Sequence, residues 1–220
     1  MTIDSLPLDT MAAPIGMSVI AVTLLVVSDL RGSRLGRYIC KPIAAAAFIW
    51  LAWALGAANT QYGQWMLAAL ILCMLGDLFL MPDSQKSFLA GLTAFLCGHL
   101  LFAVAFYKLH MNVGAALASA VPAVLLLALV GRWLHPHIPA AMKAPVALYI
   151  VVITAMLVCA GFTIGHPAAP FVVVGAWAFA ASDLAVARRQ FIDPSRVNAL
   201  WGTPLYFGAQ MVLATSIAFA

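Results

Sequence analysis

Two carboxylates lie inside long apolar runs of this chain: Asp77 in MLGDLFLMPD and Asp183 in AASDLAVARR. A charge at that depth is costly, so an intramembrane acid is a functional residue by default. The sequence has seven Asp and no Glu, and each acid can therefore be weighed singly. Two carboxylates sharing a low-dielectric site seldom both ionise; one keeps its proton while the other is an anion. That division of labour suits reactions that pass through an oxocarbenium ion, as glycoside hydrolysis does. Other polar residues accompany the pair: His99, Tyr149, Tyr206 and Gln210 within apolar runs, and Lys41 at the edge of one.

The elements that must position these groups are membrane helices. The chain of 220 residues is 65% hydrophobic and 8% charged, with a mean hydropathy of +1.05, far outside the soluble range. Apolar runs long enough to cross a bilayer fall at roughly 14–30, 42–58, 64–81, 88–107, 113–131, 144–162, 168–187 and 200–219. The expected fold class is all-α: one polytopic bundle of eight transmembrane helices over residues 1–220, with no soluble domain. Of the eleven Lys and Arg, ten fall in alternate loops, and Lys108 alone falls on the other side. The positive-inside rule then puts both termini outside the cytoplasm, and the expected location is a bacterial inner membrane.

This orientation places the polar residues of the spans mainly in the cytoplasmic half. Asp77 and Asp183 would lie near the mouth of a cavity open to that side, with His99 and Gln210 at its floor. Each residue also has a structural reading. Asp29 stands beside Arg31 and a loop, as an interfacial residue would. His99 and Gln210 suit hydrogen bonding between helices, Tyr149 suits an interfacial anchor, and the acids suit ion pairs with Lys41 or Arg188. An internal echo runs through the chain: Lys41-Pro42 with Lys143-Ala144-Pro145, Gly76-Asp77-Leu78 with Ser182-Asp183-Leu184, and Gly98-His99 with Gly208-Ala209-Gln210. Each pair has the same direction, which implies two parallel four-helix halves with the aspartates facing each other across an axis along the membrane normal.

Several classes are set aside. No basic stripe is interleaved with aromatics, so nucleic acid is not an expected partner. Cys40, Cys73, Cys97 and Cys159 show neither a disulfide framework nor zinc-ligand spacing, and no metal site is expected. Asp4 and Asp9 precede the first apolar run without any Lys or Arg, so that run is expected to be a retained helix rather than a cleaved signal.

Among the reactions open to two such carboxylates is vinyl ether cleavage, in which carbon protonation gives an oxocarbenium ion that water traps. LGDLFL at 75–80, GLTAFLCGHLLF at 91–102, GAWAFAASDLAVA at 175–187 and LYFGAQMVLATS at 205–216 together resemble the YhhN-like membrane family. The resemblance covers about Lys41 to Ser216 and keeps the motifs in order. That family includes lysoplasmalogenases, multi-pass enzymes that hydrolyse the vinyl ether of lysoplasmalogens to a fatty aldehyde and a glycerophospho-choline or -ethanolamine. The resemblance implies Asp77 and Asp183 as acid and base, without saying which is which. It implies His99, Tyr149, Tyr206 and Gln210 as pocket residues, Lys41 as a contact for the lysolipid phosphate, and no cofactor. The partners it implies are a lysophospholipid substrate and the surrounding membrane lipids. An intramembrane aspartyl protease would need YD and GxGD motifs, which are not matched. A proton-coupled transporter is the alternative, since paired carboxylates and a two-fold repeat also suit alternating access.

Overall fold

The computed structural model describes residues 7–220; Asp4 lies outside the described residues. Eight helices follow one another: α1 Leu8–Arg31, α2 Arg34–Ala54, α3 Gln61–Phe79, α4 Gln85–Leu109, α5 Val113–Leu134, α6 Ala140–Phe162, α7 Ala169–Phe191 and α8 Val197–Thr215. Single 3-10 turns lie at Ala57–Asn59 and His135–His137, and another at Ser216–Phe219 extends α8. No strand interrupts them among the described residues.

The helix starts follow capping chemistry. Ser33, Thr60, Ser84 and Asn112 each accept a backbone N–H from the first turn of α2, α3, α4 and α5, satisfying a donor that the helix itself leaves unpaired. The Ser33 cap explains why α2 begins at Arg34 rather than near Pro42. Proline suits a first turn, but here it lies inside the helix, as membrane helices tolerate when neighbours satisfy the freed groups. The early start carries Arg37 and Lys41 on one helix, a turn apart.

Seven of the helices, α1 to α7, are long and apolar enough to cross a membrane, and the protein is an integral, multi-pass membrane protein. The eighth is less apolar because Asn198, Trp201, Pro204, Tyr206 and Gln210 fall within its 19 residues, yet it packs against α1, α2, α3 and α7. Apolar side chains also cover the outside: Val19, Leu117, Val121 and Leu125 are all more than half exposed. Lipid is as apolar as these residues, so close packing, rather than apolar burial alone, must hold the helices together.

Sequential helices pair as hairpins, α1 with α2, α3 with α4, α5 with α6 and α7 with α8. Glycine permits the closest of these approaches. A Cβ at Gly76 would stand 2.7 Å from the Phe95 ring, and one at Gly98 would stand 3.0 Å from Cys73 Sγ. The α7–α8 pair repeats the device, with Gly175 against Leu213. Between hairpins, α2 meets α3 as α6 meets α7, and α8 meets α2 as α4 meets α6. These are the equivalences expected of two four-helix halves. The correspondence is incomplete, because α1 and α3 both pack on α8 while neither α5 nor α7 packs to a like extent on α4.

The core between these helices is aromatic. Phe48, Phe102, Phe106, Phe179 and Phe207 are fully buried. Phe95 lies edge-on to both Phe179 and Tyr206, and His99 stacks on Phe179 at 4.3 Å between ring centroids.

Candidate functional site

Four helices bring donors to the two aspartates. Asp77 projects from the last turn of α3 and is almost fully buried. Lys41 on α2 reaches it with Nζ 3.1 Å from Oδ1, and the same ammonium donates to the Asp77 carbonyl at 3.2 Å. Tyr206 on α8 donates its hydroxyl to Oδ2 at 2.7 Å. A lysine and a phenol thus supply a donor to each of its carboxylate oxygens.

Asp183, on α7, has different partners. Tyr149 on α6 donates to its Oδ2 at 3.1 Å, and His99 Nε2 on α4 lies 3.4 Å from the same oxygen. That last distance is within ion-pair reach but is not aligned as a hydrogen bond. The other imidazole nitrogen, Nδ1, lies 2.7 Å from the Phe95 carbonyl oxygen. A carbonyl only accepts, so Nδ1 carries a hydrogen; a neutral His99 therefore turns a bare Nε2 toward Asp183. Two lone pairs face each other there unless a proton lies between them, on the imidazole or on the carboxyl. No lysine or arginine takes up that proton's role, since Arg188 pairs with Asp193 instead, at 3.3 Å.

The donors come from corresponding places in the helix order. Each aspartate takes one partner from the preceding helix, Lys41 of α2 for Asp77 and Tyr149 of α6 for Asp183. Each takes a second from the other half, Tyr206 of α8 for Asp77 and His99 of α4 for Asp183. The symmetry is one of position and not of chemistry: where one half supplies lysine, the other supplies tyrosine.

Access is unequal too. The Asp77 side chain is 3% exposed and His99 is 0% exposed, whereas Asp183 is 13% and Lys41 17% exposed. Gln210 is fully buried, and neither amide atom has a hydrogen-bond partner among the described residues. An unpaired buried amide costs about 1–3 kcal/mol. The Cys73 thiol lies beside it, a weak partner at best.

Six of the seven polar residues expected at the site thus fall into two clusters, Lys41–Asp77–Tyr206 and His99–Asp183–Tyr149, and Gln210 lies beside Cys73. Lys41, expected to meet a phosphate, has its ammonium against Asp77. The ion-pair reading of Asp77 is realised, but Tyr206 adds a hydrogen bond that a mere counter-ion pair does not require. Asp29 pairs with Arg37 at 3.2 Å rather than with Arg31. A cavity of about 260 Å³ lies nearer the arginine-rich end of the bundle, and its wall includes Asp29, Arg34, Arg37, Asp83, Arg189 and Arg196. Reading the arginines only as topology signals missed this convergence. Its sequence mark is that three separate connections, after α1, α3 and α7, carry charge to the same end.

Comparison with known proteins gives two results. Residues 36–217 match the YhhN family. Lysoplasmalogenase TMEM86A of Bos taurus is 28% identical over 187 residues, which span 80% of this chain and 75% of the bovine protein. No solved structure matches the chain.

Proposed function

The chain belongs to the YhhN family, and from that premise we propose that it hydrolyses the vinyl ether bond of lysoplasmalogens, with Asp183 as general acid and Asp77 as general base. The inequality of the two carboxylates carries this reading. Asp77 holds a lysine counter-charge, whereas Asp183 has a phenol and an imidazole beside it and no lysine or arginine among the described residues.

In the proposed reaction, the Asp183–His99 pair delivers its proton to the β-carbon of the alkenyl group. The adjacent carbon and the ether oxygen become an oxocarbenium ion. The aromatic faces of Phe95, Phe179 and Tyr206 line its surroundings and favour a cation, as does the Asp77 carboxylate. Asp77 then takes a proton from water as the water oxygen bonds to the cationic carbon, giving a hemiacetal. That proton passes to the glycerol oxygen as the C–O bond breaks, releasing a fatty aldehyde and the glycerophospho-ethanolamine or -choline. Asp183 regains its proton from the hemiacetal hydroxyl as the aldehyde carbonyl forms. One water is consumed and both acids return to their starting states. The unpaired amide of Gln210 offers a hydrogen-bonding place for the water or for the glycerol hydroxyl. In this reading both termini lie outside the cytoplasm, and substrate reaches the acids from the cytoplasmic side.

The test is aldehyde release from lysoplasmenyl-ethanolamine by the purified protein and by Asp77→Asn and Asp183→Asn. Removing a general acid or base costs on the order of 100-fold or more. The proposal expects that loss in both variants, with gel-filtration profiles unchanged. A well-folded wild type that releases no aldehyde would reject the reading and turn attention to proton-coupled transport.

A further inference from the structure

The four arginines at one end of the bundle do more than mark topology. Arg34 and Arg37 come from α2, Arg189 from α7 and Arg196 from the turn before α8, and all four line the 260 Å³ cavity. Asp29 and Asp83 also line it, leaving a net charge of +2 (four positive less two negative). Two of them are held in place, whereas Arg34, 80% exposed, and Arg189 reach outward at the rim. Arg37 is only 18% exposed and lies against Asp29. Arg196 donates from Nη1 to the Leu30 carbonyl at 3.0 Å. Its guanidinium occupies the space beside Gly32, whose φ of +69° and lack of a side chain leave room: a Cβ there would stand 2.7 Å from Nη2. Arg34 pairs with Asp83 at 3.4 Å. Arg31, Arg132, Lys86 and Lys143 do not line the cavity.

The cavity is in line with the carboxylate network. Arg37 lies four residues before Lys41 on α2, about 6 Å along the axis. Arg189 lies six residues beyond Asp183 on α7, about 9 Å along it. In a lysolipid the ether oxygen and the phosphorus are separated by roughly five bonds, about 6 Å when extended. A phosphate among the arginines therefore leaves the ether at the depth of the two aspartates. Guanidinium is the side chain best matched to phosphate oxygens, and its five N–H donors leave Arg34, Arg37 and Arg196 with hydrogens beyond the pairs they already make.

We propose that this four-arginine cavity is a phosphate-ester subsite that holds the glycerophosphate end of the substrate. The inference rests on the ether-hydrolase reading for its placement, but binding tests it without turnover. The probe is a saturated 1-O-alkyl lysophospholipid with an ethanolamine head group, which has no double bond to protonate. Its affinity for the full-length protein in phosphate-free detergent is compared with that of the matching 1-O-alkylglycerol. Wild type is expected to prefer the phosphorylated compound by about tenfold or more. In Arg34→Gln/Arg189→Gln that preference should fall to roughly threefold or less, with alkylglycerol affinity retained as the check on folding. Arg31→Gln and Lys86→Gln, which remove charge at the same end outside the cavity, should keep the wild-type preference.

A wild type that shows no preference overturns the proposal without recourse to any variant, and so does a preference that survives loss of Arg34 and Arg189 or falls equally in the two control variants. Inorganic phosphate distinguishes the source of the ligand: competition means that the cavity takes any phosphate, whereas an arginine-dependent preference without competition means that it takes the lipid head group. Aldehyde release with no phosphate preference would remove this subsite and leave the hydrolase standing. An arginine-dependent preference in a protein that releases no aldehyde would do the reverse.

Discussion

Tyr206 donates its hydroxyl to Asp77 at 2.7 Å across 129 residues of sequence, whereas Tyr149 reaches Asp183 at 3.1 Å across 34. Each acid thus has a phenol, but the acceptors differ in charge in the proposed mechanism. Tyr206→Phe keeps the ring and its edge-on contact with Phe95 and loses one hydrogen bond to an anion, about 1.5–3 kcal/mol. Aldehyde release is expected to fall roughly tenfold or more, further than in Tyr149→Phe. If Tyr149→Phe is the slower variant, the acid and base assignments are reversed.

Lys41 acts on Asp77 rather than on substrate in this account. Lys41→Met strands a buried carboxylate, a loss of about 3 kcal/mol for a broken buried pair. The thermal unfolding midpoint is expected to drop, and the double variant Lys41→Met/Asp77→Asn should recover most of that drop while remaining inactive. A single variant that unfolds like the wild type but binds the saturated lysolipid weakly would return Lys41 to the phosphate.

His99 Nε2 lies 3.4 Å from Asp183 Oδ2, and its ring packs on Phe179; in the proposed mechanism the two hold the transferred proton. His99→Gln removes the imidazole nitrogens. Turnover should fall by about 100-fold, while affinity for the saturated lysolipid changes little. The opposite split, weakened binding with turnover retained, would make His99 a substrate-binding residue only.

Gly76 stands next to Asp77 because α3 must approach Phe95 at that point. A Cβ there meets the ring at 2.7 Å, and overpacking of this kind costs about 1–3 kcal/mol. Gly76→Ala should lower the unfolding midpoint, and Phe95→Leu in the same chain should restore part of it by giving room. An unchanged midpoint in Gly76→Ala would show that the ring moves aside freely.

His166 lies in the connection between α6 and α7. Burial first, and then the neighbouring His110, hold its imidazole below the usual histidine range, and its Nδ1 accepts the Ala168 N–H at 3.2 Å. The folded state therefore binds fewer protons there than the unfolded state, so the contribution of His166 to stability is complete above the ordinary imidazole value of about 6.5 and declines as pH falls through it. The unfolding midpoint of wild type should fall more between roughly pH 7.5 and pH 5.5 than that of His166→Ala, by a modest amount because the side chain is only partly buried. Equal falls would exclude His166 as a source of the pH dependence.

The helical bundle was legible because hydropathy is local: a run of apolar residues must cross or be buried wherever its neighbours lie. Asp77 and Asp183 were legible for the same reason, since a carboxylate within such a run is costly in any arrangement of helices. The eighth span was legible too, although Asn198, Tyr206 and Gln210 dilute its apolar run because they face the interior. Pro42 misled the start of α2, because a proline suits both a helix start and a tolerated interior site, and the Ser33 cap decides between them.

By itself, then, the sequence determined that this chain is a multi-helix membrane protein with two acids set among polar residues, because composition and spacing along one helix suffice for that. Only the tertiary structure decided that Lys41 and Tyr206 belong to Asp77, that His99 and Tyr149 belong to Asp183, and that four arginines share a cavity. Those pairings depend on how each helix is rotated about its axis and which helices are neighbours. Rotation and neighbourhood are set by packing at glycine contacts and aromatic rings from distant parts of the chain, and spacing along one helix carries no record of them.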